Sequence, residues 1–292
     1  TLIVSGAYTV GATVNGAAIA SSPQAVVVLA TTTSVTLSQV SNLQPTLRAG
    51  ELSTFTIRAF DEFNNSNTEG AVGADFSARM DGTDVTISHV SLGEYSATFG
   101  SGLRARSEPI LISVFLGVTI LEGFPREIKI LPGTPVASMS TASGSGLMLG
   151  VAGTPSQIVV ISRDRYGSAC DNGGGAVALT FLSVPDNAIV PDVSFTDHGN
   201  GTYSADFELV TAGTYSLQIA LGDNVISNMP VTRVISAAGP SASGTSLQVQ
   251  NSALAAGTVG SCTLVVRDEF GNRPVYNPSA AQPSFRAVAT RG

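Results

Sequence analysis

Ala152-Gly153-Thr154-Pro155-Ser156-Gln157-Ile158-Val159-Val160-Ile161-Ser162-Arg163-Asp164-Arg165-Tyr166-Gly167 is the stretch that decides the fold. It opens on Ala-Gly, runs through an apolar segment and closes on a polar turn at Asp164. The same phrase runs from Ala49-Gly50 to Asp61-Glu62-Phe63-Asn64, and again from Ala256-Gly257 to Asp268-Glu269-Phe270-Gly271-Asn272. The copies lie about a hundred residues apart, which is too long for a solenoid and right for a string of small β-sandwich domains.

Outward from each copy, short runs alternate apolar with polar or small residues, as half-buried strands do. In the first complete repeat the expected strands are Leu52–Phe60, Ala74–Met80, Val85–Val90, Tyr95–Phe99, Ile110–Phe115 and Glu127–Leu131. In the second they are Gln157–Ser162, Ala176–Leu182, Val193–Thr196, Tyr203–Leu209, Tyr215–Leu221 and Val231–Ile235. No amphipathic helical segment of useful length interrupts them, so the expectation is an all-β chain.

Both ends read as parts of further domains. Ser5-Gly6-Ala7-Tyr8, Gly16 and Ser22-Pro23 parallel Ala212-Gly213-Thr214-Tyr215, Gly222 and Met229-Pro230, the last two strands of a repeat. The final copy of the phrase is followed by residues enough for about one more strand. The expected division is therefore 1–31, 32–132, 133–237 and 238–292, two whole domains flanked by two that are cut. Leu131-Pro132-Gly133-Thr134-Pro135 is a short linker stiffened by two prolines, whereas 237–245 is a looser Gly/Ser/Pro segment.

Bulk properties remove several function classes. With 43% hydrophobic and 12% charged residues the chain forms cores and is not a disordered one. Its net charge of −7, with Lys129 the single lysine, argues against nucleic-acid binding, which needs clustered cations. No stretch approaches the roughly 20 apolar residues of a membrane-spanning helix, so no direct membrane insertion is expected. The start of the chain lacks the charged, apolar and cleavage regions of a signal peptide. Cys170 and Cys262 fall in different repeats and cannot form an internal sandwich disulfide, a mild preference for a reducing compartment.

The order of motifs resembles the filamin-type (actin-binding-protein) immunoglobulin-like repeat. That pattern has Ala-Gly before the second strand, then Asp-x-x-Gly-Asn, Gly-x-Gly-Thr-Tyr, Gly-x-Tyr and a Pro-led final strand. Here it is carried by Ala152-Gly153, Asp164 with Gly167, Gly199-Asn200-Gly201-Thr202-Tyr203, Ala212-Gly213-Thr214-Tyr215 and Pro230. The first repeat keeps Ala49-Gly50, Asp61 and Leu92-Gly93-Glu94-Tyr95 but has Ser107-Glu108-Pro109 where Gly-x-Tyr is expected. The resemblance implies tandem antiparallel sandwiches, a structural role, and peptide binding in the groove between the third and fourth strands. Mapped here, that edge involves Ala176, Ala178, Thr180, Val193 and Phe195, with a counterpart between 74–80 and 85–90 in the first repeat.

Each candidate site has a plain competing explanation in turn chemistry. Asp61, Asp164 and Asp268 suit side-chain to backbone bonds that close a turn better than calcium, which takes six or more oxygens. Tyr95, Tyr203 and Tyr215 follow turn glycines and suit the end of a sandwich, with the hydroxyl reaching backbone as in a tyrosine corner. His89 and His198 stand alone in their repeats, too few for a metal site. The glycine run Asn172-Gly173-Gly174-Gly175 has no following helix or Lys-Ser/Thr and reads as a loop. No Ser/His/Asp set, activated thiol or paired carboxylates is present, so the expectation is a non-enzymatic protein without cofactor or metal. The expected job is a spacer or scaffold in a longer cytoskeletal or ciliary-axonemal array, its partners extended peptide segments or neighbouring repeats. The alternative is a cell-surface adhesion stalk.

Overall fold

The computed structural model describes residues 1–67, 75–91, 93–275, 285, 286, 288 and 289. The chain divides into two compact units, Thr1–Gly133 and Thr134–Gly292. Among the described residues the helices are two single turns of 3-10 helix, Ala137–Met139 and Ser145–Leu147, and the fold is all-β. Ala74 and Leu92, and the strand expected after the last copy of the phrase, lie outside the described residues.

In the first unit β1 (Gly6–Val10) pairs antiparallel with β4 (Gln24–Val28), and the link between them folds into the small hairpin β2 (Thr13–Val14) and β3 (Ala17–Ala18). The repeat that follows holds β5 (Gln39–Ser41), β6 (Thr46–Arg48), β7 (Ser53–Arg58), β8 (Phe76–Met80), β9 (Thr83–Ser91), β10 (Glu94–Phe99), β11 (Ile110–Leu116), β12 (Thr119–Ile120) and β13 (Arg126–Leu131). One layer runs β5-β7-β10-β9 and the other β8-β11-β13-β6, with β6 and β13 parallel. Period-two alternation puts Phe55 and Ile57 of β7, Ala97 and Phe99 of β10, and Ile110, Ile112 and Val114 of β11 into the core between the layers.

A two-residue turn settles one corner of this repeat. Asp81 and Gly82 both have positive φ, 46° and 83°, which matches the twist of a tight hairpin. β9 therefore pairs with β8 from Thr83 to Val85, then crosses to the other layer and pairs with β10 from Thr86 onward. The groove expected between 74–80 and 85–90 is thus filled by the chain's own ladder over Ala78–Met80.

The second unit contains β14 (Thr141–Ser143), β15 (Gly150–Val151), β16 (Pro155–Ile161), β17 (Val177–Ser183), β18 (Thr196–Asp197), β19 (Thr202–Glu208), β20 (Gly213–Leu221), β21 (Asn224–Val225) and β22 (Val231–Ser236). Its sheets run β14-β16-β19-β18 and β15-β22-β20-β17. Ile158, Val160, Tyr203, Phe207, Tyr215, Leu217, Ile219 and Ile235 meet in one core. β23 (Ser246–Val249) and β24 (Cys262–Val265) form an antiparallel pair that begins the next repeat.

Candidate functional site

β17 is the edge strand of its sheet, and the sequence explains why. Where the first repeat turns in two residues, the second spends Val184 to Phe195 between β17 and β18. That segment carries Pro185 and Pro191, which cannot donate to a ladder, and Asn187 at φ 58°. One antiparallel bridge, Ala178 to Ser194, joins it to β17. Beyond that bridge no strand pairs with the outer side of 179–183 among the described residues, while the inner side is paired to β20.

The five residues expected to line this edge separate into two sets. Ala176, Ala178 and Thr180 are exposed, as is Leu182 (51%) farther along the same face. Val193 and Phe195 are half-buried and pack against the core. Phe181 anchors β17 from within, edge-on to Phe207 and Tyr215 at 6.3 and 6.1 Å. The edge so formed offers backbone groups and small or aliphatic side chains on its outer face, the chemistry that accepts an extended peptide as an added strand.

Side-chain to backbone bonds run through each of the three aspartate turns. Asp61 accepts from the N–H groups of Phe63 (2.9 Å) and Asn65 (2.8 Å), and its other oxygen accepts from the linker amide of Thr31 (2.9 Å). Asp268 repeats this with Phe270, Asn272 and Ala238, and Asp164 binds the amides of Tyr166 and Ser168. Burial pushes the Asp61 carboxyl up, but the Asn65 side-chain amide and the Thr31, Asn65 and Phe63 amides outweigh it and hold it at about 2. A depressed folded value means stability that is present above pH 4 and lost as pH falls toward 2. Calorimetry across that window should show the first unit losing about 1–2 kcal/mol, a step absent in Asp61→Asn.

The three tyrosines play different parts. Tyr215 is a tyrosine corner, its hydroxyl donating to the Thr211 carbonyl at 2.7 Å. The Tyr203 hydroxyl instead accepts the Gly175 N–H at 3.0 Å, and Tyr95 packs edge-on to Phe76 and His89. The glycine run is held from a second side, since Asp197 accepts the Gly174 and Gly199 amides. Sequence reading finds the loop but misses its clamp, because Asp197 lies more than twenty residues away. His89 and His198 are not register equivalents: His89 faces Tyr95, but Asp197 faces Tyr203, and the His198 ring bonds the Ser204 hydroxyl.

Arg233 is a second surprise. It is 2% exposed, donating to the Met148 carbonyl and the Ser156 hydroxyl with its guanidinium over Phe207, while its Nη1 has no hydrogen-bond partner among the described residues. Ile128 occupies the matching position in the first repeat, so sequence patterning alone would put an aliphatic there. Among the described residues no three His, Cys, Asp or Glu side chains cluster as a metal site, and no helix is long and apolar enough to cross a membrane. Neither cysteine is disulfide-bonded.

Comparison with known proteins bears on the repeat and its fold. Residues 134–232 match the filamin/ABP280 repeat family. Tripartite motif-containing protein 2 of Homo sapiens is 31% identical over 113 residues, covering 37% of this chain and 15% of its own length. The chain thus spans a small part of the curated relatives it matches. Among solved structures, the Escherichia coli adhesin FdeC superposes with a TM-score of 0.58 at 21% identity, over 80% of this chain and 74% of its own. The Lin-41 filamin domain covers 35% of this chain and 95% of its own at 24% identity, with a TM-score of 0.29.

Proposed function

We propose that this chain, whose residues 134–232 are a filamin/ABP280 repeat, is a stretch of a non-enzymatic tandem array that spaces and scaffolds other proteins. Its segments are taken as 1–31, 32–132, 133–237 and 238–292, each an immunoglobulin-like sandwich or part of one. Partners are extended peptide segments that add a strand to the outer side of β17. The observation that carries this reading is the outer side of 179–183, unpaired among the described residues, set against the first repeat, where β9 already occupies the corresponding ladder.

The setting we favour is cytoskeletal or axonemal, supported by two cysteines without a disulfide, one of them exposed. The same beads would serve as a stalk at the cell surface, and the FdeC likeness extends only to fold. Accessibility of the full-length protein to protease added outside intact cells separates the two settings.

The edge itself is tested by selecting displayed peptides on the full 292-residue chain and mapping one by amide chemical shifts. Shifts should concentrate on 179–183, and Thr180→Lys with Leu182→Lys should weaken binding about tenfold or more, since lysines on an exposed edge oppose strand addition. Shifts centred elsewhere, or binding indifferent to both lysines, would remove the edge as the site.

A further inference from the structure

The asparagine four residues after the turn aspartate reaches out of its own repeat. Asn272 Oδ1 accepts the Ala212 N–H at 2.8 Å, and its Nδ2 donates to the Val210 carbonyl at 2.8 Å. Asn65 does the same sixty residues back, accepting from Ser5 N–H at 2.8 Å and donating to the Ile3 carbonyl at 2.9 Å. In both cases one planar amide reads the C=O of one residue and the N–H two residues on. These are backbone groups just ahead of β20 and β1, where no ladder yet satisfies them.

Two further contacts fix the reader and the segment it reads. The remaining Nδ2 hydrogen goes to the turn aspartate, Asp268 Oδ2 at 2.8 Å and Asp61 Oδ2 at 2.9 Å, so the amide can face only one way. The middle residue of each tripeptide is held from its own side, Thr211 by the Tyr215 hydroxyl and Val4 by the Tyr8 hydroxyl, both at 2.7 Å. The aromatic of the phrase joins in: the Phe270 ring lies so close over Gly153 that a Cβ there would stand 2.3 Å from it. Gly153 belongs to the Ala-Gly that opens the phrase one repeat earlier.

We propose that the recurring phrase is an inter-repeat coupler, in which an Asp-oriented asparagine and an aromatic of one repeat grip the tyrosine-corner tripeptide and Ala-Gly turn of the repeat before it. This goes beyond the β17 edge and needs no outside partner. The intervening copy supports treating tyrosine and asparagine as one device, because both change together. Four residues after Asp164 stands Ser168, and Ile110, paired to Ile128 as Tyr215 is to Arg233, takes the tyrosine's place. A serine hydroxyl has no planar donor–acceptor pair with which to read both groups.

The test is amide hydrogen exchange by NMR on the full chain carrying Asn272→Ser. Exchange at the Ala212 N–H should quicken about tenfold or more, while the Phe270 and residue-272 amides, still bound to Asp268, keep their protection. Tyr215→Phe should also quicken Ala212, and the double variant should add little to either single one, the mark of a shared element. Should Asn272→Ser disturb folding, Asn65→Ser read at the Ser5 N–H asks the same question at the other junction. Unchanged exchange at Ala212 and Ser5, or loss confined to 268–272 and 61–65, would reduce the asparagine to a closer of its own turn and overturn the proposal.

Discussion

Alanine in place of Asp61 is expected to destabilise the first unit by about 4 kcal/mol, with a calorimetric transition lowered accordingly. The carboxylate is fully buried and accepts from Thr31 N, Phe63 N, Asn65 N and Asn65 Nδ2. Alanine leaves those donors without an acceptor, and each such group costs about 1–3 kcal/mol, not additively because water and neighbouring oxygens recover part of the loss. Asp61→Asn keeps the shape and one carbonyl oxygen, so it should cost about half as much. The chain has no tryptophan, so heat capacity or amide exchange is the natural readout. A loss under 1 kcal/mol for Asp61→Ala would mean that the turn holds without its carboxylate.

Gly201→Ala should cost about 3 kcal/mol or more, against about 1 kcal/mol for Gly199→Ala two residues earlier. Both glycines have positive φ, 79° and 72°, so both substitutions carry the left-handed backbone penalty. Only Gly201 is crowded: a Cβ there would lie 2.4 Å from the Cys170 carbonyl oxygen, whereas Gly199 has open space. The first repeat repeats the crowded arrangement, with Gly93 at φ 69° and its would-be Cβ 2.3 Å from the Asn67 carbonyl. Equal losses at Gly199 and Gly201 would assign the whole effect to φ and none to the close approach.

The parts of this molecule that could be read from sequence are those whose causes are local. Alternation over a few residues places Tyr215, Leu217, Ile219 and Leu221 inward, and β20 follows that pattern along its length. The aspartate turn is equally legible, since its amide donors lie two and four residues away. What escaped is governed by long-range register. Asn272 reads backbone some sixty residues back, and nothing near Asn272 records that. Asp197 clamps a glycine loop from a neighbouring strand. The closing of the first repeat by β9 was written locally, in Asp81-Gly82, but its weight becomes clear only when the second repeat lacks such a turn. Val193 and Phe195 illustrate the same limit: an apolar pair beside an edge strand faces inward or outward according to a register that one bridge sets.

The contact between Phe270 and Gly153 has a bearing on how such chains grow. The second repeat carries a receiving pole, Ala152-Gly153 with Val210 to Ala212, and the first carries a gripping loop, Asp61 and Asn65. Ser168 and Ile110 stand where the second repeat's asparagine and the first repeat's tyrosine would be. A genetic duplication that copies both repeats together therefore carries loop and pole, and the inserted pair finds complementary surfaces already waiting on both sides. Lengthening such an array requires no new surface to evolve, and a breakpoint inside a sandwich would forfeit that advantage.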